Sequence, residues 1–169
     1  MEEKLIVCLY REEDRGKTHT LKMLADILLE KAPSNVEWHH PNPAAQEKFS
    51  KLANISEWPN DICVEMTVNK KRIGLNSDGE STKAMEDRLK IMAEKCDIIF
   101  CACRAVDHDN LGTLAAIKDT VKELEQKYNV VYTAPYTNDD PPGRNPTPLQ
   151  NELNLKKAKH LADFISWNN

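Results

Sequence analysis

The sequence predicts an α/β fold, a three-layer αβα sandwich with a mostly parallel sheet and one added β-hairpin. Three observations predict it. Residues 4–9 and 97–103 are short, nearly continuous apolar runs, the pattern of strands covered on both faces in a parallel sheet. Amphipathic helical segments alternate with the strand-like ones, as parallel pairing with crossover helices requires. Two strand-like runs, 61–68 and 71–77, are separated only by Asn69-Lys70, which reads as a hairpin.

Each element follows from local spacing. After the first strand, Leu21, Leu24, Ala25 and Leu28 recur at i, i+3, i+4, i+7 and make one apolar helix face, which Pro33 is expected to end. A second, short strand is expected over 35–40. A weak helix follows, with Pro43 in its first position and Phe49 and Leu52 turned inward. Beyond the hairpin, Ser81 and Thr82 offer helix caps for a face of Met85, Leu89, Met92 and Cys96. Leu114, Ile117, Val121, Leu124 and Tyr128 mark the next helix, and 130–134 the last strand. Residues 137–148 form a polar, proline-rich loop. Thr147, Pro148 and Gln150 then open a final helix whose buried face is Ala158, Leu161, Ala162 and Ile165.

At 169 residues the chain is expected to be a single domain, 1–169, large enough to bury a core. A net charge of −4 leaves no basic surplus, which argues against nonspecific nucleic-acid binding. No apolar run approaches the roughly 18 residues of a membrane span. The start, Met1-Glu2-Glu3-Lys4, lacks the pattern of a signal peptide. Five cysteines, an odd number, sit in apolar runs and read as buried, reduced thiols, not a disulfide framework. A cytoplasmic protein is the expectation.

The chemistry concentrates in "LYREEDRGKTHTL", residues 9–21. A phosphate loop needs consecutive backbone N–H groups curled around the anion, a helix N-terminus and a lysine that neutralises charge. A Ser or Thr after the lysine holds Mg²⁺. Gly16-Lys17-Thr18, set between a buried strand and an amphipathic helix, supplies these parts. Glu12, Glu13 and Asp14 bring opposing negative charge, which Arg11 and Arg15 partly offset.

The segment "LIVCLYREEDRGKTHTLKMLADIL" resembles the Walker A region of P-loop NTPases, as does the α/β order over the whole chain. Gly16, Lys17 and Thr18 match the last three motif positions, and Arg11 stands where the first glycine belongs. The resemblance implies Mg²⁺ with ATP or GTP, held by Arg15, Gly16, Lys17, Thr18 and His19. It implies a Mg²⁺-dependent NTPase or a small, kinase-like phosphotransferase.

In open α/β sheets ligands sit beyond the carboxyl ends of the strands. Asp78, after the hairpin, is therefore the candidate acid for the water shell of Mg²⁺; alternatively Asp78-Gly79 is a turn and helix cap. Arg104, ending the 97–103 strand, is a candidate to stabilise developing charge, or else pairs with Asp107 or Asp109. Arg144 offers a lid arginine or a solvated surface one. His39 and His40 are adjacent on a strand and point to opposite faces, which makes one shared metal difficult. Cys96, Cys101 and Cys103 lack paired ligand spacing and read as packing. Trp38, Trp58 and Tyr136 line a pocket or pack.

Catalytic candidates are thus Lys17, Asp78 and Arg104, and metal candidates Thr18 and Asp78. The expected partners are a nucleoside triphosphate and a small-molecule or protein acceptor, the latter near residues 34–70. Two other readings compete. One is a non-catalytic nucleotide-, anion- or partner-binding module with a degenerate loop. The other is an α/β enzyme that uses Asp78, Arg104 and Tyr136 without a nucleotide.

Overall fold

A computed structural model of the chain describes residues 4–11, 16–39, 43–52, 54–77, 82–104, 113–124, 128–136 and 146–167. In chain order the elements are β1 (Lys4–Arg11), α1 (Lys17–Leu29), β2 (Ser34–Trp38), α2 (Pro43–Ser50) and a 3₁₀ turn (Ile55–Glu57). Then come β3 (Cys63–Val68), β4 (Lys71–Asn76), α3 (Thr82–Lys95), β5 (Ile98–Arg104), α4 (Thr113–Glu123), β6 (Tyr128–Thr133) and α5 (Pro148–Trp167).

The six strands form one sheet in the order β2-β3-β4-β5-β1-β6. β4, β5, β1 and β6 run parallel, while β3 is antiparallel to both of its neighbours. The predicted hairpin is present, and its turn has a backbone reason. Asn69 and Lys70 both take positive φ, 51° and 68°, and a two-residue turn of that hand matches the twist of the strands it joins.

The alternation along β1 explains its continuous apolar run. Val7 and Leu9 face one side with Phe100 and Ala102 of β5, against α1 (Leu21, Leu24, Leu28) and α5 (Ala158, Leu161, Ile165). Ile6 and Cys8 face the other with Ile99 and Cys101, against α3 (Met85, Leu89, Met92) and Ile117 of α4. Both faces of this stretch are covered by helices, which is why its run is apolar on both sides. The apolar faces expected for α1, α3 and α5 are the buried ones. The five cysteines are all buried and unpaired by disulfides.

Some boundaries differ from those the sequence predicts. Tyr128 does not belong to the helix before it: α4 ends at Glu123, and Tyr128 opens β6. Its buried ring lies in the core that α4 also covers, so its spacing mimics the helical face. Its hydroxyl donates to the Ala93 carbonyl at 3.0 Å and also to that of Cys96. α1 stops at Leu29, short of Pro33, and Ala32 at φ 50° turns the chain into β2. β3 starts at Cys63, so Asp61 and Ile62 precede the strand. Among the described residues no helix is long and apolar enough to cross a membrane.

Candidate functional site

The carboxyl edge of the central strands is built around the start of α1. β1 ends at Arg11, paired in register with Arg104 at the end of β5. Arg11 therefore lies in extended strand, a conformation that does not require the glycine expected at that motif position. Of these two arginines the backbone alone is described.

Gly16 is different. It caps α1 at φ 82°, and its carbonyl accepts the first helical hydrogen bond from Thr20 N at 2.9 Å. A Cβ here would lie 2.4 Å from Asn154 Oδ1 on α5. Both the backbone hand and the packing oppose a side chain. Gly16→Ala is expected to cost roughly 2–3 kcal/mol from φ strain and overpacking. Urea denaturation measures it. A double-mutant cycle with Asn154→Ala should recover the steric part and leave the φ part.

Lys17, 9% exposed, opens the helix. It lies close enough to the end of β5 for its charge to act on Cys103. That thiol is pushed up by its hydrogen bond with Cys8 and by burial, and Lys17 opposes both. One residue on, Thr18 Oγ1 donates to Asp61 Oδ1 at 3.1 Å, joining positions 43 residues apart. Ser77 Oγ donates to the same oxygen at 2.9 Å. Ser77 is itself held by a reciprocal pair with Ile62: Ile62 N donates to Ser77 Oγ at 2.8 Å, and Ser77 N to the Ile62 carbonyl at 2.9 Å. Asp61 is half-buried, and among the described residues its Oδ2 accepts no hydrogen bond.

Lys22, one turn beyond Thr18 and 3% exposed, completes the group. Its ammonium donates to the Trp58 carbonyl at 2.5 Å. Burial lowers its pKa, and the negative charge of Asp61 works against that shift. A hydroxyl, a half-buried carboxylate and the buried Lys22 ammonium thus meet where α1 packs against the end of β4, with Lys17 at the neighbouring end of β5. The donor set is oxygen-only on the acidic side, which suits a hard divalent cation, and cationic beside it, which suits an anion.

Asp61 is absent from the sequence candidates because it precedes its strand, whereas those candidates lie past strand ends. β3 is antiparallel, so its entry, not its exit, lies at the edge where β4 exits. The signal is present in the hairpin itself. Of the other sequence candidates, His19 is half-buried in the first turn of α1. Arg104 occupies the carboxyl edge beside Arg11. Arg15, Asp78 and Arg144 lie outside the described residues, as do Glu12, Glu13 and Asp14. Trp58 packs: its ring lies 4.8 Å from Phe49, which in turn meets Trp38 at 4.3 Å.

A second polar cluster lies on the α3-side face of the sheet. The ligand atoms of Glu37, His39 and Glu65 fall within 4.8 Å of one another. His39 Nε2 is 3.0 Å from Glu65 Oε1. Arg72, however, already bridges both carboxylates, at 3.0 Å to Glu65 and 2.8 Å to Glu37. Lys95 adds a second cation, 3.7 Å from Glu37, so two cations face two carboxylates and the geometry is that of an ion-pair network. His40, the neighbour of His39, lies outside the described residues.

Fold and site together define an open α/β protein with a Lys-Thr helix start facing an acid across its carboxyl edge. No protein-family model, curated protein or solved structure matches the chain.

Proposed function

We propose that the chain binds a Mg²⁺–nucleoside triphosphate at the turn into α1 and acts as an NTPase or small phosphotransferase. The observation that carries this reading is the Thr18–Asp61 hydrogen bond. It ties the hydroxyl after Gly16-Lys17 to a carboxylate brought from a distant strand entry, and structural tethering alone does not require a lysine buried beside it. The hydroxyl and the carboxylate fit a magnesium ion. When bound, that ion neutralises phosphate charge and orients the phosphates.

The chain's own residues supply the remainder. The positive end of α1 and the backbone from Gly16 to His19 cradle phosphate oxygens. Lys17 neutralises the terminal phosphates, its burial keeping the charge unscreened. Asp61, held by Ser77, orients Thr18 and offers its second oxygen to the metal's water shell. Asp78 adjoins Ser77 in sequence and stands as a further acid for the same shell. Arg104 stabilises charge developing on the transferred group.

Thermal denaturation with Mg·ATP and Mg·GTP tests the reading. Ligand at a hundredfold excess over its Kd should stabilise wild type by about 2.7 kcal/mol, and Lys17→Ala should abolish the effect. The absence of any shift up to millimolar nucleotide would defeat it. Arg11 and the acidic run Glu12-Glu13-Asp14 favour a second reading, a binding module without chemistry. That module would give the shift with no Lys17-dependent phosphate release.

A further inference from the structure

α5 carries a polar stripe toward the ends of β1 and β6. Gln150, Asn154 and Lys157 stand at i, i+4 and i+7 and so share one helix face. Gln150 Nε2 donates to the Tyr136 carbonyl and to Asn154 Oδ1, both at 2.9 Å. Thr20 Oγ1 reaches the same Asn154 oxygen at 3.5 Å. Asn154 is wholly buried, yet its amide nitrogen has no partner among the described residues.

Lys157 is 8% exposed. Its ammonium donates to Thr133 Oγ1 at 2.6 Å and sits 5.0 Å from the centre of the Tyr136 ring. Among the described residues no carboxylate pairs with it. Burial lowers its pKa with no neighbouring charge to offset the shift. An ammonium has three donors, and a hydroxyl takes only one. A buried cation without a counter-ion is costly to keep. The Tyr136 hydroxyl is engaged by His160 Nδ1 at 2.6 Å, which fixes the ring beneath the ammonium.

The stripe therefore has unused N–H donors and an unmatched positive charge. We infer that Lys157, with Thr133 and the Asn154 amide, forms a second binding site, for the phosphate or carboxylate group of a small molecule. An anion accepts from the unused ammonium donors and supplies the missing counter-charge. Asn154 also touches Gly16, so the site adjoins the turn into α1. If that turn holds a nucleotide, the second anion belongs to the acceptor. The site itself does not depend on that reading.

The test removes the first site. In the Lys17→Ala chain, at fixed ionic strength, inorganic phosphate and acetate are titrated in separate thermal scans. The anion that fits should raise Tm by roughly 2–4 °C at about five times its Kd, and which of the two does so identifies the acid group. Lys157→Met should abolish that rise and, without anion, be at least as stable as its parent, since an uncompensated buried charge is gone. A rise that persists in Lys157→Met overturns the inference, as does no rise with either anion to about 50 mM. Should Lys157→Met not fold, the Lys157 side-chain NMR signals of the Lys17→Ala chain decide. Saturable movement with one anion supports the site, and no movement overturns it.

Discussion

Arg72→Met is expected to destabilise the fold by about 3–5 kcal/mol, the usual cost of removing one partner from a buried ion pair. Glu65 is wholly buried on β3 and depends on two neighbours. Arg72 donates to its Oε2 through Nε at 3.2 Å and through a terminal nitrogen at 3.0 Å, and His39 contacts Oε1. The same guanidinium holds Glu37 at 2.8 Å and donates to the Asn35 carbonyl, so it also fastens edge strand β2 to the hairpin. Methionine keeps the packing and leaves the buried carboxylate with His39 alone. Glu65→Gln in the Arg72→Met chain should restore much of the loss, because the stranded charge is then absent.

The same cluster sets an acid limit. Burial by itself would raise the Glu65 carboxyl, but the bonds and charges of His39 and Arg72 outweigh it and hold the pKa below its ordinary 4.5. A carboxyl depressed in the folded state stabilises fully above its unfolded pKa, and that stability fades as pH falls through the folded pKa. Wild type should therefore lose this contribution below about pH 4.5, and Glu65→Gln should show a flatter acid limb. Urea midpoints between pH 3 and 7 measure both variants. An Arg72→Met cost under about 1 kcal/mol, the level of a surface pair, would refute the network's role.

Asp61→Asn is expected to weaken Mg²⁺–triphosphate binding by up to about 100-fold, as loss of a carboxylate supporting a metal ligand does. The substitution isolates charge from geometry. The asparagine oxygen still accepts from Thr18 and Ser77, so both cross-links survive, while the negative charge beside Thr18 disappears. Stability without ligand should fall only modestly, by roughly 1–2 kcal/mol, the part that the Asp61 charge contributes beside buried Lys22. Calorimetric titration of ATP and GTP, with and without Mg²⁺, reads the effect. Unchanged Mg²⁺ dependence would show that Asp61 only ties β3 to α1, and would leave Asp78 as the acid to examine.

Much of this molecule was legible in its sequence because its periodicities are clean. The helix faces of α1, α3 and α5 are the ones their spacing predicts. The continuous apolar runs of β1 and β5 reflect burial on both sides. The turn at Asn69-Lys70 was legible because so short a connection permits only a hairpin. Tyr128 was misread because a residue that opens a strand can touch the same core as the helix before it, and spacing alone counts both alike. Trp58 was ambiguous because an aromatic ring packs or binds with the same residue type, and only its contact with Phe49 decides.

By itself the sequence determined the layered α/β class, the two-sided burial of the central strands, and the placing of Gly16-Lys17-Thr18 at a strand-to-helix turn. These follow from local rules: side-chain period, turn chemistry, and the conformational freedom of glycine. Tertiary structure alone decided which carboxylate Thr18 meets, that Arg72 fills the Glu37–His39–Glu65 cluster, and that Lys157 lies buried without an acid beside it among the described residues. Each of these joins residues far apart along the chain, and strand order and strand direction bring them together. Neither is written in the spacing of any one segment.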